Sequence, residues 1–162
     1  MDAKVLTTEK VARILDVPEW RVVRFAQIKK YGITPAYGQA SGSGSRRLYN
    51  VENVCEMALA SWLTEAGLRI EVIARVLTQV RNQGGLARYL DQQWERETLH
   101  TYLAIVRKPI RRPKGKATQD AVFIHDWEWL GKTLEKELFS SALIIDIGRR
   151  FWWLSRSAAW EE

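Results

Sequence analysis

Residues 51–66 constrain this chain more than any other stretch. In "VENVCEMALASWLTEA" apolar residues recur at Val51, Val54, Cys55, Ala58, Leu59, Trp62, Leu63 and Ala66. That i, i+3, i+4, i+7 rhythm is a helix with one inward stripe. Asn50 is a good N-cap for it, because its side-chain oxygen can accept from an unpaired backbone N–H of the first turn. Gly67 is a natural stop.

Shorter patterns flank it. "TTEKVARIL" predicts a helix capped by Thr7, with Val11, Ala12 and Leu15 on one face. "DVPE" ends it, since Pro18 cannot continue a helix but can open the next. The next helix is expected over roughly residues 19–30, with Val22, Phe25 and Ala26 inward and Trp20, Arg21, Arg24 and Lys29 on or near the other side. Gly32 and Pro35 close that segment. A further helix carries Val72, Ile73, Val76, Leu77 and Val80 and breaks at "NQGG", residues 82–85.

Beyond that break the patterns weaken. Leu86, Tyr89, Leu90 and Trp94 suggest another helix. "HTYLAIV" (100–106) reads as a strand and "AVFI" (121–124) as its partner, with the basic, proline- and glycine-broken segment between them looping. Trp127, Leu130, Leu134 and Leu138 mark a helical stripe. "ALIID" (142–146) is a short strand or a helix lead-in, and residues 148–158 read as helical. The expected fold is mainly α with small β, in two parts: residues 1–82, and a small α+β region over 86–162 for dimerisation or sensing.

The net charge is +6. Residues 1–60 hold nine Lys/Arg against six Asp/Glu, residues 61–100 five against five, and residues 101–162 eleven against eight. Six of those eleven fall in "RKPIRRPKGK" (107–116): Arg107, Lys108, Arg111, Arg112, Lys114 and Lys116. Two basic clusters around a neutral middle suit a polyanionic partner, nucleic acid first and acidic membrane second. A basic protein kept soluble by its charge is the other reading. The second cluster is either a further DNA contact reaching flanking phosphates or a solvated loop.

No apolar run is long enough to span a bilayer, and "MDAKVLTTEK" lacks a signal-peptide pattern. One cysteine, Cys55, fits a reducing cytoplasm and reads as a small core residue on the apolar stripe. His100, His125 and Asp126 do not build a ligand set, so no metal or other cofactor is expected. "GQASGSGS" lacks the lysine and the immediate helix start that a nucleotide-binding loop needs. No paired carboxylates or nucleophile–base motif appears, and no enzyme is expected.

Two short helices joined by a tight turn, the second showing Arg21 and Arg24, form a helix-turn-helix candidate. Pro35 to Leu48 has the composition of a β-hairpin whose tip is Ser/Gly-rich and whose return strand carries Arg46, Arg47 and Tyr49. A hairpin beside a recognition helix is a wing. Its small residues let the tip approach the sugar–phosphate backbone, while arginine forks and a tyrosine hydroxyl donate to phosphate oxygens.

These residues resemble the N-terminal domain of MerR-type transcription regulators over residues 5 to about 80. "TTEKVARILDV" is similar to the family's first helix and turn, "PEWRVVRF" to its recognition helix, and Gly32-Ile33-Thr34-Pro35 to its Gly-Leu-x-Pro. Arg47-Leu48-Tyr49 followed by "NVENV" resembles the wing's Arg-x-Tyr end, and "EAGLRIEVIARVL" the closing helix pair. Val22-Val23-Arg24-Phe25 stands where the family usually has Leu-Arg-Tyr-Tyr, so its base preferences do not transfer. The resemblance implies a dimer on a two-fold promoter operator, distorting the DNA, with RNA polymerase as a further partner and a cytoplasmic, nucleoid-associated location. Arg21 and Arg24, flanked by Trp20 and Lys29, would reach the major groove or its edges, and Thr8, Arg46, Arg47 and Tyr49 would hold phosphates. Two rivals share the fold: a DNA-architectural or recombination accessory protein, and a protein-interaction adaptor that no longer engages DNA.

Five of eight tryptophans lie in the last 36 residues. Trp127, Trp129, Trp152 and Trp153 could line a pocket for a flat or cationic small-molecule effector, with Glu128 or Asp146 as counter-charge. The alternative is a core and dimer interface built from aromatics.

Overall fold

The computed structural model describes residues 5–36, 47–90, 101–112, 115–136, 141–157 and 160. The chain is mainly helical with small antiparallel sheets. Strand β1 (Leu6–Thr7) leads into α1 (Thr8–Leu15), α2 (Glu19–Phe25) and the single-turn α3 (Ile28–Tyr31). Then come β2 (Leu48–Tyr49), α4 (Val51–Glu65), α5 (Ile70–Asn82) and a 3-10 turn over Ala87–Leu90. The last third is β3 (Thr101–Arg112), β4 (Gly115–Asp126), α6 (Trp127–Lys136), β5 (Ser141–Asp146) and α7 (Ile147–Ser155).

Helix α4 is the hub. Asn50 caps it: its side chain accepts from the Asn53 backbone N–H at 2.9 Å, and the Asn53 side chain accepts in return from Asn50 N–H at 3.3 Å. Of the stripe predicted for it Val54, Cys55, Ala58, Leu59 and Leu63 are buried, Val51 and Trp62 only partly and Ala66 is exposed, while much of the rest of the circumference is buried too, including Met57, Ala60, Asn53, Glu56 and Ser61. Elements pack on nearly every side. Helices α1, α2 and α5 and the 3-10 turn contact it, and Trp62 meets Phe151 of α7 edge-on at 5.1 Å.

The three-stranded sheet has the order β4-β3-β5, antiparallel throughout. Side chains alternate across a strand. Leu103 and Ile105 of β3 join the same core as α4, α5 and Phe151 of α7, whereas Ala104 and Val106 form a second cluster with Leu130 of α6. The sheet therefore lies between α6 on one face and the helical body with α7 on the other. One continuous core runs through both predicted parts, 1–82 and 86–162.

Several expectations change. The segment 19–30 is not one helix: α2 ends at Phe25, and α3 restarts at Ile28 after the turn at Ala26–Gln27. Ile14, not only Val11 and Ala12, faces inward from α1, while Leu15 is only partly buried. The basic segment 107–116 is not a loop, because β3 runs to Arg112 and β4 starts at Gly115. Among the described residues β5 pairs with β3 as far as Arg107, and β3 and β4 continue beyond it as a paired ribbon. The helix expected from Leu86 is a 3-10 turn where it is described; Trp94, His100 and Leu138 lie outside the described residues.

Candidate nucleic-acid interface

The turn joining α1 to α2 is set by backbone chemistry. Thr7 caps α1, its hydroxyl accepting from Lys10 N–H at 3.3 Å, which leaves Thr8 as the first helical residue, half-buried. Asp16 ends α1 in the left-handed region at φ 51°, ψ 49°, a conformation Asp tolerates better than most residues. Pro18 then stands as the residue before α2. Val22 and Phe25 are buried against the hub, and the ring of Tyr31 meets Phe25 edge-on at 5.3 Å, folding α3 back on α2.

This inward face turns Trp20, Val23 and Arg24 to solvent; Trp20 is 62% exposed. Lys29 and Lys30 of α3 are exposed as well. Arg21 is placed differently. Its guanidinium lies 3.7 Å from Glu65 at the end of α4 and 5.8 Å over the Phe25 ring, so it is held by the molecule's own groups.

The segment expected to form a wing is anchored at both ends. Ala36 N–H donates to the Asn53 side-chain oxygen at 3.0 Å, and the Asn53 amide donates to the Thr34 carbonyl at 3.0 Å. At the other end, Arg47 donates to the Val23 carbonyl of α2 at 3.4 Å. Residues 37–46, with Arg46, lie outside the described residues. The return strand Leu48–Tyr49 pairs with Leu6–Thr7. Tyr49 requires a correction: its side chain is completely buried and its hydroxyl has no hydrogen-bond partner, so it is a core residue and not a phosphate ligand. Its backbone pairs with Leu6 of β1, which is completely buried as well.

Two carboxylates on α4 carry roles that periodicity does not reveal. Glu52 accepts from Leu86 N–H at 2.7 Å and Ala87 N–H at 2.6 Å, capping the turn after the glycine break. At Gly85, φ +76°, a Cβ would sit 2.7 Å from that carboxylate, so a side chain there is strained and would have to displace Glu52. Glu56, buried, is paired with Arg81 of α5. Burial pushes its carboxyl above the ordinary value, and Arg81 pulls it partly back. Cys55 is fully buried, and burial pushes its thiol well up, which makes it inert packing rather than a sensor.

Of the second basic cluster, Arg107 is exposed where β3 leaves the sheet, and Lys108, Arg111, Arg112 and Lys116 occupy ribbon positions. The register sets Arg111 directly opposite Lys116. Lys114 lies outside the described residues. The tryptophans do not converge. Trp127 packs edge-on to Tyr102 at 5.5 Å and Trp129 stacks on His125 at 4.5 Å, both on α6. Trp152 contacts Trp153 at 4.9 Å and Arg156 at 4.4 Å on α7, across the sheet from them. The single four-tryptophan pocket is therefore not formed. Trp127 and Trp153 are instead more than half exposed.

No group of His, Cys, Asp and Glu among the described residues could hold a metal ion, and none of their helices is long and apolar enough to cross a membrane. No family model matches the chain, and no curated protein matches it either.

Proposed function

We propose that the chain is a sequence-specific DNA-binding transcription regulator of MerR-like, winged helix-turn-helix type, acting as a homodimer on a promoter operator. In this reading α2 presents Arg24 and Trp20 to the major groove, and Arg47 with the segment before it holds the adjacent backbone. The observation that carries it is the bond from Arg47 to the Val23 carbonyl, which sets the base of the wing segment beside the exposed face of α2. Phosphate contacts from two elements fix register as well as affinity. Arg21, engaged with Glu65, is a flanking group here rather than a base reader.

The ribbon supports a second contact. The backbone register sets Arg111 opposite Lys116, and basic residues concentrated along one hairpin suit a polyanionic partner. A two-stranded ribbon also has the right width for a major groove. Bending that brings DNA onto both surfaces would add preference at bases the protein never touches.

Selection of bound fragments from random duplex DNA tests the reading, with a two-fold motif as the expected result. Arg24→Glu with Arg47→Glu should weaken binding to selected and random duplexes by at least about a hundredfold, and should lower the salt slope by roughly two. Unchanged binding of the folded double variant at low salt overturns the assignment. Complete absence of binding by the wild-type chain at low salt moves the reading to the protein-interaction adaptor.

A further inference from the structure

Helix α4 carries two glutamate–arginine ties that differ in their surroundings. Glu56 is buried and paired with Arg81, so that pair belongs to the core. Glu65, the last residue of α4, faces Arg21 of α2 across 3.7 Å, and the two side chains are 58% and 28% exposed. At that separation the guanidinium attracts the carboxylate without donating a hydrogen bond to it. The same carboxylate oxygen, Oε1, accepts from the Ser61 hydroxyl at 3.1 Å, which keeps Glu65 in place whether or not Arg21 stays. Arg21 stands three residues before the exposed Arg24, so both side chains start from one side of α2.

We propose that Glu65 competes with DNA phosphate for Arg21: it holds the guanidinium in the free protein and yields it to the sugar–phosphate backbone when α2 docks. Magnitudes favour the exchange. Water screens an exposed ion pair, which contributes little. A phosphate accepts two parallel hydrogen bonds from one guanidinium, where Glu65 receives none from it. The buried Glu56–Arg81 pair has no such freedom, because parting it strands a charge in the core. The sign of the effect follows from competition. A duplex has to displace the carboxylate before it gains Arg21, and the displaced carboxylate then repels phosphate. Glu65 thus lowers the affinity of the surface for selected and random duplexes alike, and Arg21 is a phosphate contact held in reserve. The inference rests on the DNA-binding reading and deepens it by naming the residue that limits that affinity.

A double-mutant cycle on the full chain is the test, read by fluorescence anisotropy of selected and random duplexes and by the Arg21 side-chain Nε–Hε resonance in NMR. Glu65→Gln retains an oxygen acceptor for Ser61, and Arg21→Gln retains part of the stem, so both should keep the native circular dichroism spectrum. Glu65→Gln should tighten both duplexes at least about threefold and Arg21→Gln should weaken them at least about threefold, the scale of an exposed ion pair. In the Arg21→Gln background the gain from Glu65→Gln should be at least about twofold smaller, because only the repulsion between carboxylate and phosphate is left to remove. The Arg21 resonance should move when duplex is added to the parent. No gain from Glu65→Gln, an equal gain in both backgrounds, or an Arg21 resonance that duplex leaves in place overturns the proposal while the DNA-binding reading stands. Loss of the native spectrum in either variant makes the pair structural and overturns it as well. A parent chain that binds no duplex at low salt removes the DNA-binding reading itself, and this proposal with it.

Discussion

The helical body and the sheet half keep their polar groups in different ways. In the body, buried and half-buried polar side chains reach partners far along the chain: Glu56 to Arg81, Glu52 to Leu86 and Ala87, and Asn53 to Thr34 and Ala36. Among the described residues of the sheet half, the acidic side chains at the helix starts make local ties. Asp126 and Asp146 each accept from the backbone N–H three residues on, at 2.8 Å, and Lys132 meets Glu128 one turn away. Long-range buried ties fix one arrangement of the helices, because each leaves an expensive orphan if the packing slips. Local ties leave the sheet half to be located by strand register and by what it rests on. The body is thus the part whose stability depends on individual polar residues.

Breaking the buried pair should give the largest effect. Arg81→Ala leaves Glu56 buried without a counter-charge, and a loss of about 3 kcal/mol is expected at neutral pH. The sign of its pH dependence follows from the raised pKa. A carboxyl titrating higher in the folded state than in the unfolded state favours folding most when protonated, and that contribution fades as pH rises through the folded value. Without Arg81 the rise is greater, so urea unfolding should show the deficit shrinking as the pH falls from neutral into the acidic range. Glu56→Gln keeps the shape without the charge and should stay within about 1 kcal/mol of the parent, with the acid-side slope flattened. A deficit in Arg81→Ala that does not change with pH would remove Glu56 from the account.

The joint between the two regions is the next target. Gln79 accepts from Val122 N–H at 3.1 Å and Gln83 donates to Val122 carbonyl at 3.0 Å, so α5 serves both backbone groups on the outer side of β4 as a neighbouring strand would. Gln79→Ala with Gln83→Ala removes both partners and should cost about 2 kcal/mol, at roughly 1 kcal/mol per hydrogen bond. Hydrogen exchange should quicken at Val122 more than within α4. If protection falls equally everywhere, the two regions unfold as one unit and the contrast between them concerns construction only.

What the sequence shows of this architecture follows the same division. The caps at Thr7 and Asn50, the stops at Gly32 and Gly67 and the inward faces of α2 and α5 are local, and each could be read from a few neighbouring residues. The circumference of α4 could not. Glu56, Asn53 and Ser61 look like a solvent face until Arg81, Ala36 and their surroundings fold over them, and sequence spacing carries no sign of contacts 25 and 17 residues apart. The ribbon was hidden for another reason. Proline and glycine in residues 107–116 resemble loop chemistry, yet the backbone there pairs in register as β3 and β4. At the candidate interface, periodicity correctly turned Trp20 and Arg24 outward. It could not show that Arg21, one residue on from Trp20, bends to Glu65.

Tyr49 gives the smallest effect and separates resemblance from geometry most cleanly. A wing tyrosine that donates to phosphate should lose affinity when its hydroxyl is removed. Here the hydroxyl is enclosed and unpaired, and burying it without a partner costs free energy. Tyr49→Phe keeps the ring that fills the core and discards only the orphan oxygen, so stability should be unchanged or should rise by up to about 1 kcal/mol. DNA affinity should stay within about twofold of the parent, a difference of roughly 0.4 kcal/mol. Thermal unfolding and fluorescence anisotropy on the same preparation distinguish the cases. A tenfold loss of affinity with an unaltered melting curve would mean that the ring swings out to reach DNA, and that β2 belongs to the contact surface after all.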